Sequence, residues 1–133
     1  MINALKIALN AADSKKASDI VAMDITEIAT FTNYFLICTG DSSRQMHAIA
    51  DEVEKQLAAI GIRPSHVEGY QNAEWILMDY VDLVVHIFSK NARAYYDLER
   101  LWMDGKELDT SNLIQVQGAE QSSGKRKNAR TLL

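Results

Sequence analysis

Residues 75–88 read Trp-Ile-Leu-Met-Asp-Tyr-Val-Asp-Leu-Val-Val-His-Ile-Phe, two apolar runs separated by a short acidic turn. Runs of this length that are rich in Val, Ile and aromatic residues predict β-strands, here at 75–80 and 83–88. The connection at Val81 and Asp82 is long enough only for a tight reversal. The two strands are therefore expected to form an antiparallel hairpin.

The chain before this hairpin predicts a strand, a helix and a second strand. Residues 34–39, Tyr-Phe-Leu-Ile-Cys-Thr, are nearly all apolar, which is typical of a strand buried on both faces. A capping box formed by Ser42 and Gln45 opens a helix that runs to about Ile60. Residues 66–68 then predict a short strand. This strand–helix–strand step favours one parallel crossover.

Three further elements complete the predicted fold. The spacing of apolar residues predicts helices over 2–13 and 92–102, and residues 19–24 predict a strand. The fold class is therefore α+β, a mixed β-sheet of about five strands with helices packed on it. We expect residues 1–110 to form one domain. Residues 111–133, rich in Gln, Ser, Gly and Lys, are expected to form a flexible basic tail.

Charge is distributed unevenly along the chain. Ten basic and seventeen acidic residues fall within 1–110, a formal net charge of −7. Four basic residues and one acidic residue follow, so that the tail carries +3. An acidic folded body repels phosphate backbones and attracts basic protein surfaces. We therefore expect a protein partner for the body, and at most a minor contact of the tail with RNA.

The sequence lacks the residue patterns that many enzymes and metal sites use. It has neither a P-loop nor a dinucleotide-binding fingerprint. No two of its three histidines are spaced as paired ligands, and Cys38 is the single cysteine. No apolar run approaches the ~20 residues of a membrane helix, and the N-terminus does not resemble a secretory signal. We expect a cytoplasmic protein without a cofactor, a metal or a membrane partner.

Side chains alternate along a strand, so the first strand of the hairpin presents two different faces. Ile76 and Met78 favour the core side, and Tyr80 shares it. The opposite side carries an aromatic residue, an aliphatic residue and an acid: Trp75, Leu77 and Asp79. An aromatic anchor beside a charge has the composition of a hot spot that binds a basic protein. The alternative is that Trp75 packs beneath a loop.

Two other features have more than one interpretation. Residues 40–43, Gly-Asp-Ser-Ser, lie between a strand and a helix, where backbone amides can hold an anion. A nucleotide-binding or nucleotidyltransferase-like enzyme would also need paired carboxylates on an adjacent strand, which the sequence does not supply. A helix cap is therefore the favoured interpretation. His86 lies in an apolar strand, which favours a structural group over an interface or catalytic one.

Two blocks of the sequence resemble the ribosomal silencing factor family, also called the Iojap family. The first is Thr-Asn-Tyr-Phe-Leu-Ile-Cys-Thr-Gly at 32–40. The second runs from Trp75 to Trp102 and contains the hairpin followed by Tyr-Asp-Leu-Glu at 96–99. The resemblance covers nearly everything from Leu5 to Trp102 and leaves the tail outside it.

Two positions depart from the usual pattern of this family. Asn33 stands where an aspartate is common, which removes one charge from the rim of the sheet. Val81 stands where a glycine is common. We therefore expect the hairpin turn of this chain to need no positive φ angle.

The resemblance implies a function that needs no catalysis. Members of the family bind the large ribosomal subunit through its protein fourteen, block joining of the small subunit, and repress translation when nutrients are scarce. Their fold resembles nucleotidyltransferases without the catalytic carboxylates. An exposed apolar sheet face could also pair two copies off the ribosome.

The residues expected to contact the partner come from the hairpin and the strand before it. Two aromatic anchors are flanked by acids that would pair with Lys or Arg of the partner, and His86 is a weaker member of the set. The predicted partner-binding residues are Glu68, Trp75, Leu77, Asp79, Tyr80 and His86.

Overall fold

The computed structural model describes residues 2–114 as four α-helices, six β-strands and a final 3₁₀ turn at Thr110–Asn112. The helices are α1 Ile2–Ser14, α2 Ser43–Ala58, α3 Lys90–Tyr96 and α4 Leu98–Leu101. The strands are β1 Ser18–Asp24, β2 Tyr34–Gly40, β3 His66–Glu68, β4 Trp75–Asp79, β5 Leu83–Ser89 and β6 Lys106–Leu108. Residues 115–133, which include most of the predicted tail, lie outside the described residues.

The strands form one mixed sheet in the order β3-β4-β5-β2-β1-β6, which confirms the predicted α+β class. β2 and β5 pair in parallel, and the other neighbouring strands pair antiparallel. The predicted hairpin is β4 with β5, with Ile76 opposite Ile87. β3 runs in the same direction as β2, as the predicted crossover requires, but it pairs with β4 at the sheet edge.

β6 is the strand that the sequence did not predict. It comprises three residues, Lys-Glu-Leu, which are too few to show an alternating pattern. β1 recruits it through backbone hydrogen bonds, with Met23 opposite Glu107. The number of strands in the described sheet is therefore six rather than about five.

One face of the sheet packs against α1 and α2. α1 buries Leu5, Ala8, Leu9 and Ala12, as the spacing predicts, and α2 buries Met46, Ile49, Val53 and Leu57. Gly40, at the end of β2, permits the close approach of α2, because a Cβ atom there would lie 2.6 Å from Cγ of Met46. Each fully buried aliphatic side chain contributes about 1.5–3 kcal/mol. This face is the larger core of the protein.

The opposite face is only partly covered. A smaller apolar cluster on this side includes Phe35, Ile37, Val84 and Phe88, and α3, α4 and the segment 25–33 pack around it. The predicted single helix over 92–102 is in fact two short helices, α3 and α4. Asp97 separates them with a φ of +49°, which is a left-handed conformation. This segment contains no glycine or proline, so its sequence does not indicate a break in the helix.

The turn between β4 and β5 corrects a second expectation. Val81 adopts a φ of +77°, although a valine was expected to free the turn from a positive φ. The amide of Tyr80 donates to the carbonyl of Leu83 across the turn at 2.8 Å, and the amide of Val81 donates to Oδ1 of Asp79 at 2.8 Å. The tight connection therefore imposes the conformation on a β-branched side chain, at a cost of about 1–3 kcal/mol.

Candidate functional site

Strand β4 divides its side chains between the two faces of the sheet. Ile76 and Met78 are 0% and 1% exposed on the side of α1 and α2, as predicted. Trp75, Leu77 and Asp79 alternate with them and are half-buried. The side chains that the sequence assigned to the open side therefore do lie away from the two long helices.

The Trp75 side chain contacts His86 and Phe88 of β5 and Tyr96 of α3. Its indole Nε1–H donates to Nδ1 of His86 at 3.1 Å. Its ring centroid lies 5.0 Å from that of Phe88 and 4.7 Å from that of Tyr96. These contacts fix one part of the ring and leave another part in solvent, so Trp75 is neither a core residue nor a freely moving one.

Two acidic side chains lie next to Leu77, near the edge of the sheet. Glu68 of β3 is paired with Leu77 of β4, and His66 is paired with Asp79. Nε2 of His66 lies 3.2 Å from Oε2 of Glu68, and its Nδ1 lies 3.9 Å from Oδ2 of Asp79. The two acids therefore sit within one local group together with a histidine that sequence reasoning did not single out.

Gly69 sets the distance between this edge and Trp75. It has a φ of +78°, and a Cβ atom there would overlap the carbonyl oxygen of Trp75. Only a glycine allows the chain to turn so close to the start of β4. The backbone at Gly69 therefore lies against the start of β4 in a contact that excludes any larger residue.

Tyr80 was predicted as a second aromatic anchor, and its position contradicts that role. The side chain is 6% exposed and belongs to the core on the side of α1 and α2. Its hydroxyl has no hydrogen-bond partner within residues 2–114. Burial, with a smaller contribution from Glu54, raises the pKa of Tyr80 to about 12. The alternation along the strand carries Tyr80 to the face opposite Trp75.

His86 was predicted as a weaker member of the partner-binding set, and it is also buried. It is 3% exposed on the same face of the sheet as Trp75, under the Phe35 ring at 4.6 Å between centroids. Burial lowers the pKa of His86 to about 3, so the imidazole is neutral at physiological pH. Because His86 is buried, it can influence a partner only through residues that it contacts, such as Trp75.

Three aromatic residues missed by the sequence reasoning extend the open side. Tyr96 is 50% exposed against Trp75, and Phe31 is 56% exposed with its ring 5.6 Å from the half-buried Trp102. Trp102 in turn stacks edge-on against Phe35 at 5.5 Å. We call the open face the set Phe31, Glu68, Trp75, Leu77, Asp79, Tyr96 and Trp102.

A single helix over 92–102, as predicted, would pack its aromatic and aliphatic residues against the sheet. That is correct for Leu98, which is 7% exposed. It is wrong for Tyr95 and Leu101, which are 82% and 75% exposed. The break at Asp97 rotates α4 relative to α3, and a helical spacing rule cannot place residues across such a break.

The turn at 40–43 is occupied by helix-capping contacts, as favoured by the sequence. Oγ of Ser42 accepts from the amide of Gln45 at 3.0 Å, and Oε1 of Gln45 accepts from the amide of Asp41 at 2.6 Å. The Gln45 side chain also donates to the carbonyls of Lys15 and Lys16. The turn thereby ties the start of α2 to the end of α1.

Other chemistry is limited within residues 2–114. No group of three or more His, Cys, Asp and Glu side chains there could hold a metal ion. Cys38 is fully buried, and burial raises the pKa of its thiol to about 12, so it is a structural thiol. No helix in the described part of the chain is both long and apolar enough to cross a membrane.

The described chain is thus an α+β protein whose mixed sheet is packed under two long helices on one side and partly open on the other. Residues 1–132 match the family model described as ribosomal silencing factor during starvation. The chain belongs to the ribosomal silencing factor family, as its sequence blocks suggested.

Individual relatives agree with this assignment. The chain is 47% identical to the ribosomal silencing factor RsfS of Bacillus subtilis over 105 residues, 79% of this chain and 89% of the relative. It is 44% identical to that of Halalkalibacterium halodurans over 110 residues, 83% and 94% of the two chains. A crystal structure of a Chromobacterium violaceum protein superimposes with a TM-score of 0.76 at 32% identity, covering 90% of this chain and 96% of the other.

Proposed function

We propose that this protein binds the large ribosomal subunit through its open face and sterically prevents the small subunit from joining. Translation is thereby repressed when nutrients are limiting, and the protein acts in the cytoplasm. The observation that carries the proposal is a half-buried tryptophan, Trp75, on the partly open side of the sheet, in a strand that also carries Asp79 and pairs with the strand of Glu68. Membership of the silencing factor family supplies the ribosome as the partner.

The charge of the protein favours a basic partner. Residues 1–110 carry a formal net charge of −7, and Glu68 and Asp79 lie next to the apolar centre of the open face. Such a surface attracts lysine and arginine side chains and repels RNA phosphates. These properties support protein fourteen of the large subunit, the partner that the family resemblance implies, as the docking site.

The mechanism needs no chemical step by the protein. A bound domain of this size occupies the space that the small subunit must fill, provided that docking competes with subunit joining. Loss of a hot-spot aromatic side chain typically costs about 2 kcal/mol or more, roughly thirtyfold in affinity. Trp75 is the side chain for which we expect this loss, because it combines support from three aromatic neighbours with exposure.

Co-sedimentation with purified large subunits, followed by addition of small subunits, tests the proposal. Wild type should remain on the large subunit and suppress joining, whereas Trp75→Ala should do neither while remaining folded. Ile60→Ala is the matched control, because Ile60 is 47% exposed and lies just beyond α2, away from the open face. Failure of wild type to bind would contradict the function, and normal binding of Trp75→Ala would contradict the surface.

Two further proposals concern the basic tail and the apolar part of the open face. The basic residues of the tail, Lys125, Arg126, Lys127 and Arg130, make at most a minor contact with RNA. Off the ribosome, two copies pair through the exposed apolar part of the open face. Sedimentation equilibrium of wild type and Trp75→Ala checks the second proposal, which requires the variant to be the more monomeric of the two.

A further inference from the structure

The contact between Trp75 and His86 joins an exposed side chain to a buried one. Trp75 of β4 lies opposite Phe88 of β5, so His86 is its diagonal neighbour on the same face. Diagonal neighbours of this kind are within reach of long and aromatic side chains. The indole Nε1–H donates to Nδ1 of His86 at 3.1 Å, and His86 is 3% exposed.

His86 is an unfavourable choice for packing alone. With Nδ1 accepting, the neutral imidazole carries its proton on Nε2, and this atom has no hydrogen-bond partner within residues 2–114. Its surroundings are the apolar rings of Phe35 and Phe88 and the strand neighbour Ile37. A buried polar atom without a partner lowers stability, and a leucine at this position would avoid the loss. A leucine could still pack against Phe35 and Phe88, but it could not accept the hydrogen bond from Trp75.

We propose that His86 is a positioning residue, which holds the Trp75 indole in the orientation that the partner contacts. The inference rests on the proposed function, because the open face must be the docking surface for the orientation to matter. Phe88 and Tyr96 contact the indole ring, whereas His86 is the one residue within 2–114 that accepts from its Nε1–H. Fixing a large side chain before binding removes part of the entropy loss on association.

The first test compares stability with affinity in His86→Leu. Removal of the hydrogen bond should weaken binding to purified large subunits about fivefold, which corresponds to one net hydrogen bond. The midpoint of urea unfolding should not fall, since the unpartnered Nε2 is removed as well. If His86 had only a structural role, His86→Leu would lower the stability of the protein and its affinity for the large subunit together.

Two amide substitutions provide the reverse comparison. The Oδ1 atom of His86→Asn lies near the position of Nδ1 and can accept from the indole, whereas the longer side chain of His86→Gln places its amide near Nε2. We expect His86→Asn to bind better than His86→Leu although it is less stable. His86→Gln should bind as weakly as His86→Leu. The order of affinities then differs from the order of stabilities.

A double-mutant cycle with Trp75→Phe isolates the pair. Phenylalanine keeps an aromatic ring and removes the N–H group, so His86→Leu should cause no further loss of affinity in this background. A loss of equal size in both backgrounds would overturn the proposal. So would wild-type affinity of His86→Leu when Trp75→Ala is defective. Failure of Trp75→Ala to weaken binding would instead overturn the docking surface, and this inference with it.

The indole N–H resonances give a readout that is independent of the ribosome. The protein has two tryptophans, Trp75 and Trp102, so a ¹H–¹⁵N spectrum shows two side-chain signals. His86→Leu should shift the Trp75 signal toward that of an indole bonded to water, while the Trp102 signal serves as an internal reference. An unchanged Trp75 signal would show that the hydrogen bond does not hold the ring.

Discussion

Nη2 of Arg93 lies 2.6 Å from Oε2 of Glu99, an ion pair that closes over the break between α3 and α4. The same guanidinium donates through Nη1 to the carbonyl of Asp19 and to Oγ1 of Thr39. Arg93 therefore connects the two short helices to β1 and β2. The aromatic residues that α3 and α4 contribute to the open face depend on this connection for their position.

Arg93→Met should destabilise the protein by about 2–4 kcal/mol, because it removes a largely buried charge from three acceptors and leaves Glu99 unpaired. Urea unfolding followed by circular dichroism measures the change. Arg100→Met is the matched control, since that side chain is exposed on α4, and its effect should stay within about 0.5 kcal/mol. Equal effects of the two variants would show that the Arg93 contacts do not carry this stability.

Val81→Gly should raise the free energy of unfolding by about 1 kcal/mol. It relieves a β-branched residue at a φ of +77°, and the gain exceeds the extra chain entropy that glycine loses on folding. Gly61→Ala should have the opposite sign and about the same size, because Gly61 has a φ of +84° after α2. Thermal unfolding of both variants checks the pair. A destabilised Val81→Gly would mean that the valine side chain contributes more than its strain removes.

Tyr80→Phe should leave binding to the large subunit unchanged and should not lower stability. The substitution removes a buried hydroxyl without a hydrogen-bond partner within residues 2–114, on the face away from Trp75. Binding of Tyr80→Phe and of Trp75→Phe to the large subunit should be measured side by side. The two variants each lose one polar atom, on opposite faces of the sheet. Weaker binding by Tyr80→Phe alone would return Tyr80 to the docking surface.

Stability should fall as the pH is lowered from about 6.5 toward 3, because of His86. Its pKa is about 3 in the folded protein and near 6.5 when unfolded, so below pH 6.5 the unfolded state binds a proton that the folded state excludes. The expected loss at pH 5 is about 2 kcal/mol relative to pH 8. His86→Leu lacks this proton uptake, and the difference between wild type and variant isolates it from the carboxyl groups. A pH-independent difference would contradict the depressed pKa.

Removal of residues 115–133 should leave most of the affinity for the large subunit intact. The truncation should end after Ile114 rather than at 110, because Leu113 is 3% exposed and its carbonyl accepts from Asn10 of α1. If the tail contributes weak contacts with RNA, the salt dependence of binding becomes smaller. Salt titrations of both forms measure this change. Loss of binding by the truncated chain at low salt would make the tail a principal contact.

The sequence predicts the elements that have long, regular patterns. The apolar spacing of α1 and α2 and the alternation in β4 are sufficient to place Leu5, Ile49 and Ile76 in the core. Alternation also places Trp75 on the open side, and the same rule already set Tyr80 on the other side. The predicted partner-binding set had nevertheless included both residues, and the strand geometry separates them.

The features that the sequence did not predict depend on contacts between distant segments. Asp97 interrupts a helical pattern without a glycine or proline, and Val81 occupies a conformation that its side chain disfavours. β6 exists because β1 has a free edge beside it. The bond between Trp75 and His86 joins residues whose spacing in sequence gives no sign of contact. Predicting these features requires the three-dimensional arrangement of the strands and helices to be known first.

The division of β4 into buried and half-exposed alternate residues lets one short segment serve two independent requirements. Substitutions at Ile76 or Met78 are expected to act on the packing of α1 and α2, and substitutions at Leu77 or Asp79 on the proposed docking surface. Partner preference could therefore drift, or be redesigned, along the odd-numbered positions while the even-numbered positions hold the fold constant. Homologues with different ribosomal partners would need to differ in only half of this strand.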